Sequence, residues 1–424
     1  MTIEDLSPEL ILEVLTYLDR SSLWSFYTCS HRFYYITQLP IYSTFTQTGQ
    51  HALPNLLRSV IAKPYLATFI KHLNLSILGR RHSISDIDTS FLTEIDRNWI
   101  RAQLLNAGWS KEWVQDWFAR LSEKDNWDAA AGLLIYLCSK NLETLILRGG
   151  KNVETHTIRS TLEFAADEPS YFPKLRSISL SSKAPKYIAD QLIPLQRTSA
   201  ELISSALKLT DIKELHFEGL YSVDEALVLS HPSLAAKKLS FTKCQVDARL
   251  LENFLLRFNS LTHFKYEAEC YHISGLHLIS THIKRALQHS RHTLTHLSLD
   301  PGDEWYQMGP GSNPNDPVLG DMRSFSALKY LEVDGLMLLG EETESPLSPD
   351  PRRPFKTDEY YTTAQCETFA HGFPESFETL VIHRCADSIL GPVAELLNSG
   401  VPKGLKHMVR ASFGIGFDRR AELM

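Results

Sequence analysis

Histidine, lysine and glycine are the residues of this 424-residue chain best placed to do chemistry, and their spacing decides which chemistry that would be. The 17 histidines include His289, His292 and His296, with His277 and His282 nearby. A structural zinc needs four ligands in a closed tetrahedral shell. These three divide between a helix end and a strand, so no metal site is expected. Gly149-Gly150-Lys151 resembles the end of a phosphate loop, but Asn152 stands where a magnesium-binding Ser or Thr belongs and the upstream glycine is missing. A turn after a strand is the better reading. Gly414-x-Gly416 lacks a third glycine, and no H-E-x-x-H, G-x-S-x-G, EF-hand loop or full dinucleotide fingerprint occurs. The chain is therefore expected to be no enzyme, to need no cofactor, and to work by binding.

Composition narrows what it binds. Lys and Arg number 43 against 50 Asp and Glu, a net charge of −7, which argues against nucleic acid or an anionic membrane as partner. Hydrophobic residues at 43 % and charged residues at 22 % exclude wholesale disorder. Six cysteines at 29, 138, 244, 270, 366 and 385 form no C-x-x-C, the pattern of reduced thiols in the cytoplasm or nucleus. Glu4 and Asp5 stand where a signal peptide needs positive charge, and the longest apolar run, Ala129 to Cys138, is half a membrane span. Ala421 occupies the position where prenylation would require cysteine. The expectation is a protein neither secreted, membrane-spanning nor lipid-anchored.

The elements that must position any binding face repeat along the chain. The pattern apolar-x-x-apolar-x-apolar occurs at Ile70/Leu73/Leu75, Leu142/Leu145/Leu147, Leu175/Ile178/Leu180, Ile212/Leu215/Phe217, Ala236/Leu239/Phe241, Leu261/Phe264/Tyr266, Leu294/Leu297/Leu299, Leu328/Leu331/Val333 and Phe377/Leu380/Ile382, with Leu405/Met408 as a weak last member. From Leu142 to Leu328 the steps are 33, 37, 24, 25, 33 and 34 residues, each long enough for a strand, a turn and a helix. Helical periodicity over 199–209, 247–258 and 273–289 supplies such helices. The predicted fold class is α/β: an irregular solenoid, similar to leucine-rich repeats, with parallel strands on a concave face and helices outside. The asparagine of the standard repeat is missing.

Side chains alternate across a strand, so with the triads inward the outward rows read Thr144/Ile146, Ser177/Ser179, Glu214/His216, Lys238/Ser240, His263/Lys265, His296/Ser298, Tyr330/Glu332 and Thr379/Val381. On that phase His216, Lys238, His263, Lys265, His296 and Tyr330 are the candidate residues for holding a protein substrate.

The first forty residues differ. Ser7-Pro8-Glu9 is a helix start, and three short helices follow: a stripe of Ile11, Val14, Leu15 and Leu18, a second run with Leu23, Phe26 and Tyr27, and a third from near Ser30 that stops before Pro40. Leu6-Ser7-Pro8-Glu9, the run to Leu15, Tyr17-Leu18, Leu23 and Cys29-Ser30-His31-Arg32-Phe33 resemble an F-box. Ser7 stands where that family usually has proline, and Phe33 in the place of its tryptophan. The resemblance implies that Leu6, Pro8, Ile11, Val14, Leu15, Leu18, Leu23, Phe26 and Phe33 form or support a surface gripping the Skp adaptor, and through it a cullin-RING ubiquitin ligase. A non-degradative scaffold on the same adaptor is the alternative. The implied organisation is an adaptor-docking domain at 1–45 and a substrate-recognition domain at 46–424.

The second domain holds an insertion at 85–140 that carries Trp99, Trp109, Trp113, Trp117 and Trp127, five of the seven tryptophans. Helices are expected there from about Ser90, from about Lys111, and over 128–139. Trp113 and Trp117, four apart on one helical face, read as packing. Asn141 to Leu145, Leu328 to Val333 and Pro374 to Leu380 are similar to repeat regions of F-box proteins from filamentous fungi. Two long loops, 301–321 and 341–363, interrupt the late repeats, and the second carries Ser345-Pro346 and Ser348-Pro349, a composition typical of loops.

Overall fold

The computed structural model describes residues 3–49, 51–77, 92–122, 127–149, 155–168, 170–182, 196–220, 233–244, 246–268, 280–300, 319–339, 369–383, 390–399, 404–414 and 417–422. The Gly150-Lys151-Asn152 turn, His277, Gly416, Trp305, Cys270, Cys366, Cys385 and both Ser-Pro pairs lie outside the described residues. The chain forms two compact units, Met1–Ile212 and Lys213–Met424.

The first unit opens with three helices, α1 (Pro8–Thr16), α2 (Arg20–Cys29) and α3 (His31–Ser43). Each starts at a residue suited to it. Ser7 accepts from the Leu10 amide with Pro8 in the first turn, Asp19 accepts from Ser22, and Ser30 accepts from Phe33. Ile11, Leu15, Leu23, Phe33 and Ile41 form their core. The predicted stop before Pro40 is corrected, because α3 continues to Ser43 with Pro40 inside it. A proline removes one amide, and burial of Ile41 in the last turn holds the helix on course.

Helix α3 runs directly into β1 (Thr44–Thr46), which pairs in parallel with β2 (His72–Ile77); α4 (Ala52–Ala62) lies between them in sequence. Strands β3 (Thr144–Gly149) and β4 (Ser177–Ser182) extend the parallel ladder, with Leu73 opposite Leu145 and Leu145 opposite Ile178. The tryptophan-rich stretch forms α5 (Glu94–Asn106), α6 (Lys111–Ser122) and α7 (Trp127–Cys138). Thr93 and Asp96 make a reciprocal capping box, so α5 begins later than Ser90. Gly108, at φ +96, makes the turn into α6, a conformation costly for any residue with a Cβ. Trp117 is buried and donates from Nε1 to the Ala129 carbonyl at 2.9 Å, while Trp109 stacks between Trp113 and Phe164 at 3.8 and 3.9 Å. Phe164 belongs to α8 (His156–Asp167), whose first amides, Thr157 and Ile158, donate to buried Asp128 of α7 at 2.5 and 3.0 Å. The unit ends with α9 (Gln196–Leu207).

The second unit is a ladder of seven parallel strands in sequence order: β5 (Glu214–Glu218), β6 (Lys238–Cys244), β7 (His263–Ala268), β8 (His296–Asp300), β9 (Tyr330–Asp334), β10 (Thr379–His383) and β11 (His407–Gly414). A last strand, β12 (Phe417–Glu422), returns antiparallel on β11. The described helices between strands are α10 (Ala248–Leu255), α11 (Ser280–Leu287), α12 (Gly335–Leu339) and α13 (Leu390–Ser399). Every residue of the nine apolar triads is buried. The backbone repeats the same joint at each step: the carbonyl just before one strand accepts two successive amides from the next, Lys213 from Lys237 and Lys238, Lys237 from Thr262 and His263, Thr262 from Thr295 and His296, Thr295 from Lys329 and Tyr330. This joint fixes register, and register decides which side chains become neighbours. Among the described residues no helix is long and apolar enough to cross a membrane.

Candidate functional site

The face of the second unit's sheet opposite the triads is built by in-register neighbours. One row runs Glu214, Lys238, His263, His296, Tyr330, Thr379, His407; the next runs His216, Ser240, Lys265, Ser298, Glu332, Val381, Val409. All six residues singled out on the sequence phase lie in these two rows.

Charge on the face is largely matched. The Lys238 ammonium meets Glu214 at 2.7 Å and Lys265 meets Glu267 at 3.2 Å. Just before the strands, Glu378 lies 3.1 Å from Lys329 and 2.9 Å from Lys406. His216 pairs through Nδ1 with the Ser240 hydroxyl, and burial pushes its pKa below the usual imidazole value.

The centre of the first row is aromatic. The rings of His263 and His296 stack at 4.2 Å and 11°, and Tyr330 continues the stack against His296 at 5.6 Å. Desolvation lowers both imidazole pKa values; the neighbouring His296 and Lys238 add to the effect at His263, as do Lys329 and Lys238 at His296. In the second row Glu332 is a hub that sequence reasoning did not single out. It accepts from Ser298 Oγ at 2.8 Å, from the Tyr330 hydroxyl at 3.2 Å and from His383 Nε2 at 2.7 Å. The His383 hydrogen bond, helped by Ser298 and Tyr330, holds its carboxyl at about 2 against the opposing effect of burial.

Three of the histidines weighed as metal ligands take separate partners. His292 is engaged at Nδ1 by Ser326 and at Nε2 by Arg291, His282 by Glu252, and His296 by Thr295. Among the described residues no group of three or more His, Cys, Asp or Glu could hold a metal ion.

A second surface lies on the N-terminal helices. Of the nine residues named for it, Ile11, Leu15, Leu23 and Phe33 are core, Leu6, Leu18 and Phe26 pack partly buried against that core, and Pro8 and Val14 are exposed. Arg32 ties α3 back to the start of the chain by donating to the Leu6 carbonyl at 2.6 Å. Sequence reasoning missed the most exposed apolar members of α1 and α2: Leu10 (49 %), Tyr17 just past α1 (83 %) and Trp24. Leu10, Val14 and Tyr17 recur at four- and three-residue spacing, so they share one outer helical face. The signal was present, because α1 is apolar on two sides and a small bundle can bury only one.

Compared with models of known protein families the chain matches none, and no curated protein matches it.

Proposed function

We propose that this chain is the substrate-recognition subunit of an SCF-type E3 ubiquitin ligase, an F-box head followed by an irregular leucine-rich-repeat-like region. The observation that carries this reading is the Leu10, Val14 and Tyr17 face of α1. It lies within the segment that resembles an F-box and stays exposed while Ile11 and Leu15, on the same helix, are spent on the internal core. Apolar side chains left outside a small head are a partner's contact surface. The Skp adaptor is that partner, and a cullin-RING assembly follows through it. The repeat face, with its fixed rows of polar and aromatic side chains, holds a protein substrate. The chain performs no bond chemistry. It supplies proximity to a ubiquitin-loaded conjugating enzyme. Among the described residues Cys29, Cys138 and Cys244 form no disulfide, in keeping with work in the cytoplasm or nucleus.

The test is co-purification of the full chain with adaptor and cullin. Adaptor together with cullin supports the ligase reading, adaptor without cullin supports the scaffold, and no adaptor at all removes both. Val14→Glu combined with Leu10→Glu places charge on the exposed face without touching the core. Capture of the adaptor should fall at least tenfold while the circular dichroism spectrum stays unchanged; undiminished capture refutes the assignment of this face.

A further inference from the structure

In the stacked pair His263 and His296, each ring turns Nδ1 to the hydroxyl of the threonine before it. Thr262 Oγ1 donates its only proton to the Lys237 carbonyl at 3.0 Å, and Thr295 Oγ1 donates to the Thr262 carbonyl at 2.9 Å. Each hydroxyl oxygen also lies 2.9 Å from the Nδ1 of the histidine that follows it. With its proton directed to that carbonyl, the hydroxyl accepts there, which assigns the hydrogen to Nδ1 in both rings. Both Nε2 atoms are then lone pairs, and neither has a hydrogen-bond partner among the described residues.

The rings stack at 4.2 Å and 11°, and each turns Nδ1 to the threonine before it, so their Nε2 atoms point the same way. Parallel lone pairs do not converge on one metal ion. Once protonated, they become two parallel N–H donors, which the two oxygens of one carboxylate or phosphate can accept together with a small tilt.

The charged and titratable groups around the pair are Lys238 with Glu214 from β6 and β5, Lys265 with Glu267 along β7, Asp300 ending β8, and Lys329, Tyr330 and Glu332 at β9. Each of these lysines has a carboxylate at salt-bridge distance, and Glu332 is held by His383, Ser298 and Tyr330. Among the described residues no carboxylate lies within ion-pair distance of either imidazole. Proton uptake there creates positive charge that no ion pair among the described residues neutralises; the nearest opposing influence, Glu214 on His263, is a carboxylate already paired with Lys238.

We propose that His263 and His296 form a paired-imidazole seat for a carboxylate or phosphate carried by an acidic segment of a partner protein, occupied as the two Nε2 atoms gain protons. This deepens the proposed function by naming the chemistry of the substrate, and it rests on that reading only in placing a protein partner on this face. Each bound proton that the ligand requires adds up to about tenfold in affinity per pH unit above that group's pKa. The low imidazole pKa values leave the seat mostly empty of protons at pH 7.5.

The experiment measures fluorescence anisotropy of a labelled hexaglutamate peptide, and of a Gly-Ser peptide carrying two phosphoserines, titrated with the purified full chain at pH 7.5 and 5.5. Affinity for at least one peptide should rise more than tenfold at the lower pH. Binding of hexaglutamate identifies a carboxylate as sufficient; binding of the phosphopeptide alone identifies phosphate. The rise should vanish in His263→Asn and in His296→Asn, and His→Gln variants at both positions guard against an effect peculiar to asparagine. Equal affinity at both pH values, or a rise that persists in the variants, overturns the proposal. No adaptor is present, so failure here leaves adaptor docking standing, and failure of adaptor capture leaves this result standing.

Discussion

Replacing Glu332 by glutamine removes one charge from the outer face of β9 while keeping shape, and the structure sets what that should cost. The carboxylate accepts from His383, Ser298 and Tyr330, side chains from three different strands, and is held at about 2 instead of the ordinary 4.5. Such a depression corresponds to about 3 kcal/mol at neutral pH if nothing screens it. The side chain is 28 % exposed, and solvent screening reduces the figure to about 1–2 kcal/mol. Because the folded value lies below the unfolded one, this stabilisation is present above pH 4.5 and is lost as pH falls toward 2. The readout is hydrogen exchange by mass spectrometry on peptides spanning Tyr330–Asp334 and Thr379–His383, taken as the ratio of variant to wild type at each pH so that intrinsic rates cancel. At pH 7 the variant's amides should exchange about 5–30-fold faster. At pH 2.5, with longer labelling, the ratio should shrink toward one. A ratio that is the same at both pH values, or no acceleration at pH 7, would show that the hub does not tie these strands together.

Two further expectations concern the units separately. Asp128→Ala leaves the buried Thr157 and Ile158 amides without an acceptor, and at about 1–3 kcal/mol per orphaned group, offset by relief of a desolvated carboxyl, the net loss should be about 2–4 kcal/mol. Urea denaturation followed by tryptophan fluorescence reads it, since most tryptophans lie in that unit; an unchanged midpoint would contradict the capping role. Lys243 sits at φ +51 where the register between β6 and β7 shifts, so Lys243→Gly should stabilise by up to about 1 kcal/mol. A thermal melt that shifts downward would show that the Lys243 side chain matters more than its strain.

The parts of this fold visible in the sequence are those set by burial. Each triad is a short strand with one side turned to the core, and alternation then fixes the other side without further information. That is why six outward residues could be named and found in two adjacent rows. What escaped lacks a triad. Strand β1 is three residues long, Thr44–Thr46, with one buried apolar residue, and β12 carries Asp418, Arg419 and Arg420 in a segment that reads as polar tail. Pro40 was read as a stop because local rules see the lost amide but not the core contact that Ile41 makes beyond it. The exposed Leu10 and Tyr17 escaped for the opposite reason. Periodicity marks apolar faces, and it does not say which face the bundle will use.

The candidate site illustrates the same division between local and repeated information. Glu332 and His383 meet across 51 residues, and no motif of fixed local spacing would pair them, because what brings them together is the parallel pairing of β9 with β10. His263 and His296 are different. Each is preceded by threonine, Thr262 and Thr295, and each Thr-His pair falls at the same phase of its repeat. The identical position of the two dipeptides in successive repeats forces three results at once: the rings stack, both hydroxyls bond a carbonyl of the preceding repeat in the same way, and both imidazoles turn Nδ1 to the threonine before them. A repeat that copies a strand also copies the hydrogen-bond geometry around it, so a dipeptide recurring in phase becomes a pair of aligned donors or acceptors. In such a sheet, chemistry is encoded by recurrence at one repeat position, and a motif search along the chain does not see it.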